Sequence, residues 1–259
     1  MKKTWEFKNK SEEKDVGELY LYGEITSTTW FEDDVSPKQF KKDMDALGDI
    51  NTLNIYINSP GGDVFASQAI YNMLKRHLAT KNVYIDGIAA SGASLVAMAG
   101  DMVYMPANAM IMVHNASTIM WGFADDFRKM ADVLDQIQAS MIPVYAEKTG
   151  LSDKEITELL DSETWMTAED AKMFGFADEI LEEKQIAASM SGGVLTVNGQ
   201  QFDVKNFKSP PKLAFLPKDI PKIQEEEPKH EEKPDADRLF IYEKQIALKN
   251  KKYKYQEVN

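Results

Sequence analysis

The sequence predicts an α/β fold. From Glu18 to about Glu182, short runs rich in Val, Ile and Tyr alternate with segments whose apolar residues recur at helical spacing. Strands joined by helical crossovers produce this alternation. The chain has 259 residues, of which 43% are hydrophobic, and this is enough to fill a sizeable core. A globular enzyme is therefore the default expectation.

The predicted strands are runs rich in Val, Ile and Tyr, with Met contributing to the last two. In chain order they are Glu18–Tyr22, Leu53–Ile57, Asn82–Ile85, Met102–Met105 and Met110–Val113.

Several helices are marked by their ends. Pro37 begins one helix, which Gly48 ends. A second is predicted from about Val64 to Leu78, and a long one covers Asp125–Lys148 with apolar residues at a 3.6-residue period. We expect Pro143 to kink or break the long helix near its end, because proline lacks the N–H that an interior helical residue donates.

The composition changes after Glu183, and this change sets the predicted domain boundaries. Residues 1–14 are assigned to an N-terminal arm and residues 15–185 to the main domain. Residues 186–237 are rich in Pro and Glu and are expected to form an extended, partly disordered linker, because they bury little apolar surface. Residues 238–259 form a basic segment with some helical spacing.

Composition also excludes several classes of function. The net charge of −12 argues against nucleic acid as a partner, because phosphate contacts need clustered Lys and Arg. The chain has no cysteine, which excludes disulfides, thiolate metal sites and a cysteine nucleophile. The longest uncharged apolar run, Gly87–Gly100, is shorter than the roughly 20 residues of a membrane span. We expect a soluble cytoplasmic protein without a cofactor or metal.

The stretch DGIAASGASLVAMAGD contains two hydroxyls that are candidate nucleophiles. Ser91 lies at the predicted turn from strand to helix, where N–H groups are unpaired. Ser94 lies one turn inside the helix and can donate back to a preceding carbonyl. Ser91 is therefore the better candidate, with the N–H of Gly92 facing an oxyanion. On this stretch alone, an ordinary serine N-cap is the simpler interpretation.

A serine nucleophile needs a general base, which is usually histidine. His230 lies in the Pro- and Glu-rich tail, and His77 lies near the polar end of a helix, where solvation explains it. His114 directly follows an apolar strand, a position from which a polar side chain reaches a cleft. A histidine satisfied by the local backbone is the equal alternative.

A second stretch, INSPGGDVFAS, ends a strand in paired glycines before a helix. Gly61 and Gly62 free backbone N–H groups to form an anion-binding concavity, as a tetrahedral oxyanion requires. A plain Pro-Gly turn is the alternative. A phosphate loop is disfavoured because no Lys-Ser or Lys-Thr pair follows the glycines.

The segments INSPGG, AASGA, IMVH and WMTAEDAKMFGFAD resemble, in order and approximate spacing, the ClpP serine peptidase family. The resemblance covers residues 15 to about 182. It implies a ClpP/crotonase-type spiral of ββα units, a projecting long helix and assembly into homo-oligomeric rings. The low-complexity C-terminal tail, which the composition predicts, lies outside the resemblance. The N-terminal start and the tail most resemble phage ClpP-related head maturation proteases.

The same resemblance implies the site residues. Ser91 is implied as the nucleophile and His114 as the base, with the N–H groups of Gly62 and Gly92 as the oxyanion hole. For the acid that orients His114, the family pattern implies Glu163, at a position where Asp is usual, and Asp161 is the alternative. A further departure is SGAS in place of the usual SMGA, so that a glycine follows the nucleophile and changes the pocket wall.

The expected function is that of an ATP-independent serine endopeptidase. Its expected substrate is a scaffold or capsid precursor protein, cleaved during phage head maturation in the host cytoplasm or the prohead, with no nucleic-acid or membrane partner. One alternative is a general degradative ClpP-type peptidase that works with an unfoldase. Another is a non-catalytic structural ring subunit, which the presence of both Ser91 and His114 disfavours. Two more are an acyl-CoA enzyme of the crotonase superfamily, whose chemistry needs no Ser–His pair, and a Ser-Lys peptidase.

Overall fold

The computed structural model describes residues 5–9, 15–26, 37–181, 188–191, 194–197 and 200–203. All of these lie in the first of two compact units of the chain, residues 1–214. The strands are β1 (Trp5–Asn9), β2 (Val16–Tyr22), β3 (Thr52–Ser59), β4 (Thr80–Ala90), β5 (Met102–Pro106), β6 (Met110–Val113), β7 (Thr164–Met166), β8 (Glu179–Leu181), β9 (Ala188–Ser191), β10 (Val194–Val197) and β11 (Gln200–Asp203). The helices are α1 (Pro37–Asp45), α2 (Val64–Arg76), α3 (Gly92–Ala97), α4 (Ala124–Thr149), α5 (Asp153–Asp161) and α6 (Ala168–Met173).

The main sheet has the strand order β1-β2-β3-β4-β5-β8, with β6 paired to β4 and β7 paired to β6. Strands β2, β3, β4, β5 and β8 run parallel, whereas β1 and β7 are antiparallel to their neighbours. Parallel neighbours require crossover connections. Helices α1, α2 and α3 lie in the connections that link β2 through β5. The predicted α/β class is confirmed.

Strand β4 changes its partner along its length. Residues Asn82–Tyr84 pair with β5, whereas residues Ile88–Ala90 pair with β6. A register shift between β3 and β4 occurs at the same level of the sheet. As a result, the residue that follows β4 lies beside the end of β6.

The two faces of the sheet have different compositions. One face packs against the helices, and its side chains are buried in the core: Leu19, Leu21, Leu53, Ile55, Ile57, Val83, Ile85 and Val103. On the other face, Tyr20, Tyr56, Tyr84 and Tyr104 occupy paired register positions, and their rings stack at centroid distances of 4.8, 5.2 and 4.9 Å. A slip of one residue would move every side chain to the opposite face, so the two patterns together fix the register.

Part of the predicted N-terminal arm is a strand. In β1, Trp5 and Phe7 alternate with charged residues, and both rings pack edge-on against Phe40 of α1, with centroid distances of 5.2 and 5.1 Å. Alternation of apolar and polar residues is the pattern of a half-buried strand, but five residues are a short signal.

Helix α4 continues through Pro143. Of the two expected effects of this proline, the break is wrong, and the kink stays a prediction. The helix has 26 residues and ends at Gly150, which has a φ of 73°. Pro143 is exposed, while Met141 and Tyr145 on either side of it are buried. The buried neighbours therefore hold the helix across the proline, whose lost hydrogen bond lies on the solvent side.

Strands β9, β10 and β11 form a separate antiparallel sheet. They lie in the first part of the segment 186–237, and the prediction of a linker did not anticipate them. The residue pairs Gly192–Gly193 and Asn198–Gly199 separate the strands, and such dipeptides are typical of two-residue hairpin loops. The rest of the predicted linker and the basic segment 238–259 lie outside the described residues.

Candidate active site

The turn between β4 and α3 holds Ser91 in a rare backbone conformation. Its φ is 52° and its ψ is −126°, a combination that costs a non-glycine residue about 1 to 3 kcal/mol. The Ser91 N–H donates to the carbonyl of Met112 in β6 (2.9 Å), and the Ser91 carbonyl accepts the N–H of Ser94 (2.9 Å). Hydrogen bonds on both sides of the residue therefore hold the strained turn.

The Ser91 hydroxyl does not cap helix α3. Among the described residues it makes no hydrogen bond to the first N–H groups of α3, and its Oγ lies 2.8 Å from Nε2 of His114. Ser94 behaves as predicted, because its Oγ donates back to the Ser91 carbonyl at 2.6 Å. The simpler interpretation of Ser91 as an ordinary N-cap therefore does not describe the structure.

His114 directly follows β6 and is partly buried. The pairing of β6 with β4 places it beside Ser91. His77 lies at the C-terminal end of α2, where its Nδ1 accepts the N–H of Ala79, and burial lowers its pKa. His230 lies outside the described residues. The structure thus brings together the serine and the histidine that the sequence singled out.

The register of β6 and β7 indicates that Glu163 lies near His114. In the antiparallel pair of β6 and β7, Val113 lies opposite Thr164, so the same register continued by one residue puts Glu163 opposite His114. Glu163 is only 7% exposed and has a φ of 49°. Asp161 is exposed, and its Oδ1 accepts hydrogen bonds from Asn115 (2.8 Å) and Gln138 (3.1 Å). Of the two candidate acids, Glu163 has the more suitable position.

The loop that contains Gly61 and Gly62, called the glycine loop below, contacts the turn at Ser91. The N–H of Ile25 donates to Gly61 and its carbonyl accepts from Asp63, so in this parallel bridge the N–H of Gly62 points away from Ile25. A Cβ on Gly92 would lie 3.6 Å from the nitrogen of Gly62. In the described part of the chain, neither the N–H of Gly62 nor that of Gly92 has a hydrogen-bond acceptor. Two free N–H groups close together suit an oxyanion.

Two buried serines that the sequence analysis did not select support this loop. The Oγ of Ser59 donates to the carbonyl of Gly23 (2.6 Å) and accepts the N–H of Gly61 (3.1 Å). The Oγ of Ser67 donates to the carbonyl of Asp63 and occupies the space where a Cβ on Gly92 would lie, at 2.2 Å. Both serines belong to the INSPGGDVFAS stretch, but only the folded structure shows their partners.

Two features are absent from the part of the chain that the structure describes. The described residues contain no group of three or more His, Cys, Asp or Glu side chains placed to hold a metal ion. They also include no helix that is long and apolar enough to cross a membrane.

Comparisons with known proteins show the family to which the chain belongs. The family model described as Clp protease matches residues 13–184. The chain belongs to the Clp protease family. The ATP-dependent Clp protease proteolytic subunit 2 of Corynebacterium diphtheriae is 35% identical over 135 residues, which cover 51% of this chain and 68% of that protein. Subunit 2 of Corynebacterium efficiens is 34% identical (50% and 66% covered), and subunit 1 of Corynebacterium jeikeium is 35% identical (50% and 70% covered).

The match with the Clp protease family covers only part of the chain. The family match ends at residue 184, before β9 begins. Both strained turns at Ser91 and Glu163 and the glycine loop lie inside the matched region. The three-stranded sheet and the tail therefore lie outside the part of the chain that matches the family.

The contact between the glycine loop and the Ser91 turn predicts that alanine destabilises the protein more at position 61 than at position 48. A Cβ on Gly61 would lie 2.5 Å from the carbonyl oxygen of Ala90 and 2.6 Å from the nitrogen of Gly92, whereas a Cβ on Gly48 would meet nothing within 4 Å. Both glycines have positive φ. We expect Gly48→Ala to cost about 1 to 2 kcal/mol of unfolding free energy, from backbone strain alone, and Gly61→Ala to cost clearly more. Urea unfolding measures both, and equal costs would contradict the close packing of the loop.

Proposed function

We propose that this Clp protease is a serine endopeptidase with Ser91 as its nucleophile. The observation that carries the proposal is the 2.8 Å contact between the Oγ of Ser91 and Nε2 of His114. This distance lies within the range in which a general base accepts the proton of the nucleophile. A non-catalytic ring subunit would need neither this contact nor the strained turn that supports it.

In the proposed reaction, Ser91 Oγ attacks the peptide carbonyl while His114 Nε2 takes the hydroxyl proton. The N–H groups of Gly62 and Gly92 stabilise the negative charge on the carbonyl oxygen. Collapse of the intermediate breaks the C–N bond, and His114 returns its proton to the leaving amine. Water, deprotonated by His114, then attacks the acyl carbon. The bond between this carbon and Ser91 Oγ breaks, and His114 returns its proton to Oγ, which regenerates the serine.

The carboxylate of Glu163 is proposed to accept the other ring N–H of His114, with Asp161 as the alternative acid. Such a carboxylate selects the tautomer with a free Nε2 and stabilises the imidazolium. The burial of Glu163 and its register opposite His114 support this role. The hydrogen bonds that Asp161 accepts from Asn115 and Gln138 favour a structural role for that residue.

Replacement of the nucleophile is expected to remove activity without unfolding the protein. Ser91→Ala should lower kcat for a peptide substrate by about 10⁴ to 10⁶, because no other oxygen takes the place of Oγ next to His114. Ser140→Ala, which removes an exposed hydroxyl of α4, is the matched control and should retain the parent rate. Ser91→Ala protein that hydrolyses the substrate at the parent rate would refute the proposal.

The two acids are distinguished by matched carboxylate-to-amide changes. Glu163→Gln should lower kcat by about 10³ or more, because an amide cannot stabilise the imidazolium of His114. Asp161→Asn should lower kcat by less than about tenfold, because the amide oxygen of Asn can still accept the hydrogen bonds from Asn115 and Gln138. Steady-state kinetics on both variants measures the difference. Small and equal effects would indicate a Ser–His dyad, and a larger effect at Asp161 would reverse the assignment.

We also propose that copies of the chain assemble into rings. Large apolar side chains are exposed on α4 and on the segment before it, and Ile119, Trp121 and Phe123 are 92%, 97% and 86% exposed. Contiguous exposed apolar surface of this kind marks protein interfaces. A second copy of this chain is the proposed partner, because the projecting α4 presents the same surface on every copy.

The finer proposal is a head maturation protease of a tailed phage or prophage, acting in the host cytoplasm or the prohead without ATP. The peptidase domain is proposed over residues 15–185, followed by a linker and a basic C-terminal segment. The additions beyond residue 184, outside the family match, support this proposal. The names of the curated relatives favour the general alternative, a proteolytic subunit that works with an ATP-dependent partner.

The mode of substrate processing separates the two proposals. If genes beside this one encode portal and capsid proteins, the purified chain incubated with the capsid precursor and scaffold should cut them at a few defined sites without nucleotide. Unfolded casein is the comparison substrate, and Ser91→Ala protein is the control for contaminating proteases. Cleavage of the precursors only after an ATP-driven unfoldase is added would contradict the maturation role and support general degradation.

A further inference from the structure

The carbonyl of Ser91 is held by more than the backbone of α3. It accepts the N–H of Ser94 at 2.9 Å and also the Oγ of Ser94 at 2.6 Å. The same Oγ lies 2.8 Å from the hydroxyl of Tyr145 in α4. Tyr145 therefore connects through one side chain to the main chain of the proposed nucleophile.

The chemistry of the two hydroxyls fixes the direction of these hydrogen bonds. A carbonyl only accepts, so the single proton of Ser94 Oγ is donated to Ser91. The Tyr145 hydroxyl must then donate to Ser94. Burial raises the pKa of Tyr145, so its hydroxyl keeps the proton that this donation requires.

Ser94 and Tyr145 are buried at positions where apolar residues would otherwise be expected. Ser94 is 0% and Tyr145 1% exposed, and the Tyr145 ring packs against Phe176. Alanine and phenylalanine at these positions would keep most of the packing and avoid the cost of burying two hydroxyls. The hydroxyls therefore need an explanation beyond the filling of space.

We propose that Tyr145 is a positioning residue for the nucleophile, because its hydroxyl orients Ser94, and Ser94 in turn holds the Ser91 carbonyl in the strained turn. This inference rests on the proposed role of Ser91. A residue at a φ of 52° relaxes when its restraints are removed. Relaxation moves Oγ away from Nε2 of His114 and slows acylation, while substrate contacts elsewhere are unchanged.

The test measures the rate at which a fluorophosphonate probe modifies Ser91 in the full-length protein. Tyr145→Phe should react about five to ten times more slowly, as loss of one positioning hydrogen bond predicts. Ser94→Ala should react more than about tenfold more slowly. The matched control is Tyr71→Phe, which removes another buried tyrosine hydroxyl, one that donates to Glu147 of α4, and which should react at the parent rate.

The double variant distinguishes positioning from general destabilisation. If Tyr145 acts through Ser94, Tyr145→Phe with Ser94→Ala should react no more slowly than Ser94→Ala alone, and the pH midpoint of labelling should stay the same in all variants. Additive losses, or a parent rate for Tyr145→Phe, would overturn the inference. If Tyr145→Phe fails to fold, a parent rate for Ser94→Ala overturns it. Equal labelling of Ser91→Ala and parent protein would instead show that the proposed function itself is wrong.

Discussion

The strained backbone of Ser91 is the constraint on which the geometry of the site depends. A residue with a side chain does not stay at a φ of 52° unless its surroundings hold it there. The Met112 carbonyl holds its N–H, and Ser94 holds its carbonyl. Because Met112 lies in β6, this restraint requires β4 to leave β5 and pair with β6. The exchange of partners within the sheet thus places His114 next to the serine.

The backbone conformation of Ser91 also explains which residues can surround it. Among the described residues, Ser91 and Glu163 are the two non-glycine residues with positive φ. Positions 61 and 92 have no room for a side chain. The backbone of the turn occupies that space at Gly61, and the Ser67 hydroxyl occupies it at Gly92. The hydrogen bonds of Ser91 and the close packing at Gly61 and Gly92 hold the glycine loop against the Ser91 turn.

The sequence predicted the parts of the fold that carry local signals. All five predicted strands and the three predicted helices are present, because their apolar periods and end residues are local properties. Pro143 was misjudged because burial of Met141 and Tyr145 outweighs the lost hydrogen bond. Strands β9 to β11 were missed because composition was given more weight than the two short turn signals. Ser59, Ser67 and Tyr145 acquire their roles from partners distant in the chain, which a single sequence does not reveal.

The central claim is that the strained turn presents one particular hydroxyl for acylation. The most direct measurement is mass spectrometry of the full-length protein after reaction with a fluorophosphonate, followed by fragmentation of the peptide that contains both Ser91 and Ser94. We expect one adduct, located on Ser91, and its loss when His114 is replaced by Ala. An adduct on Ser94, or labelling of Ser91 that does not depend on His114, would contradict it.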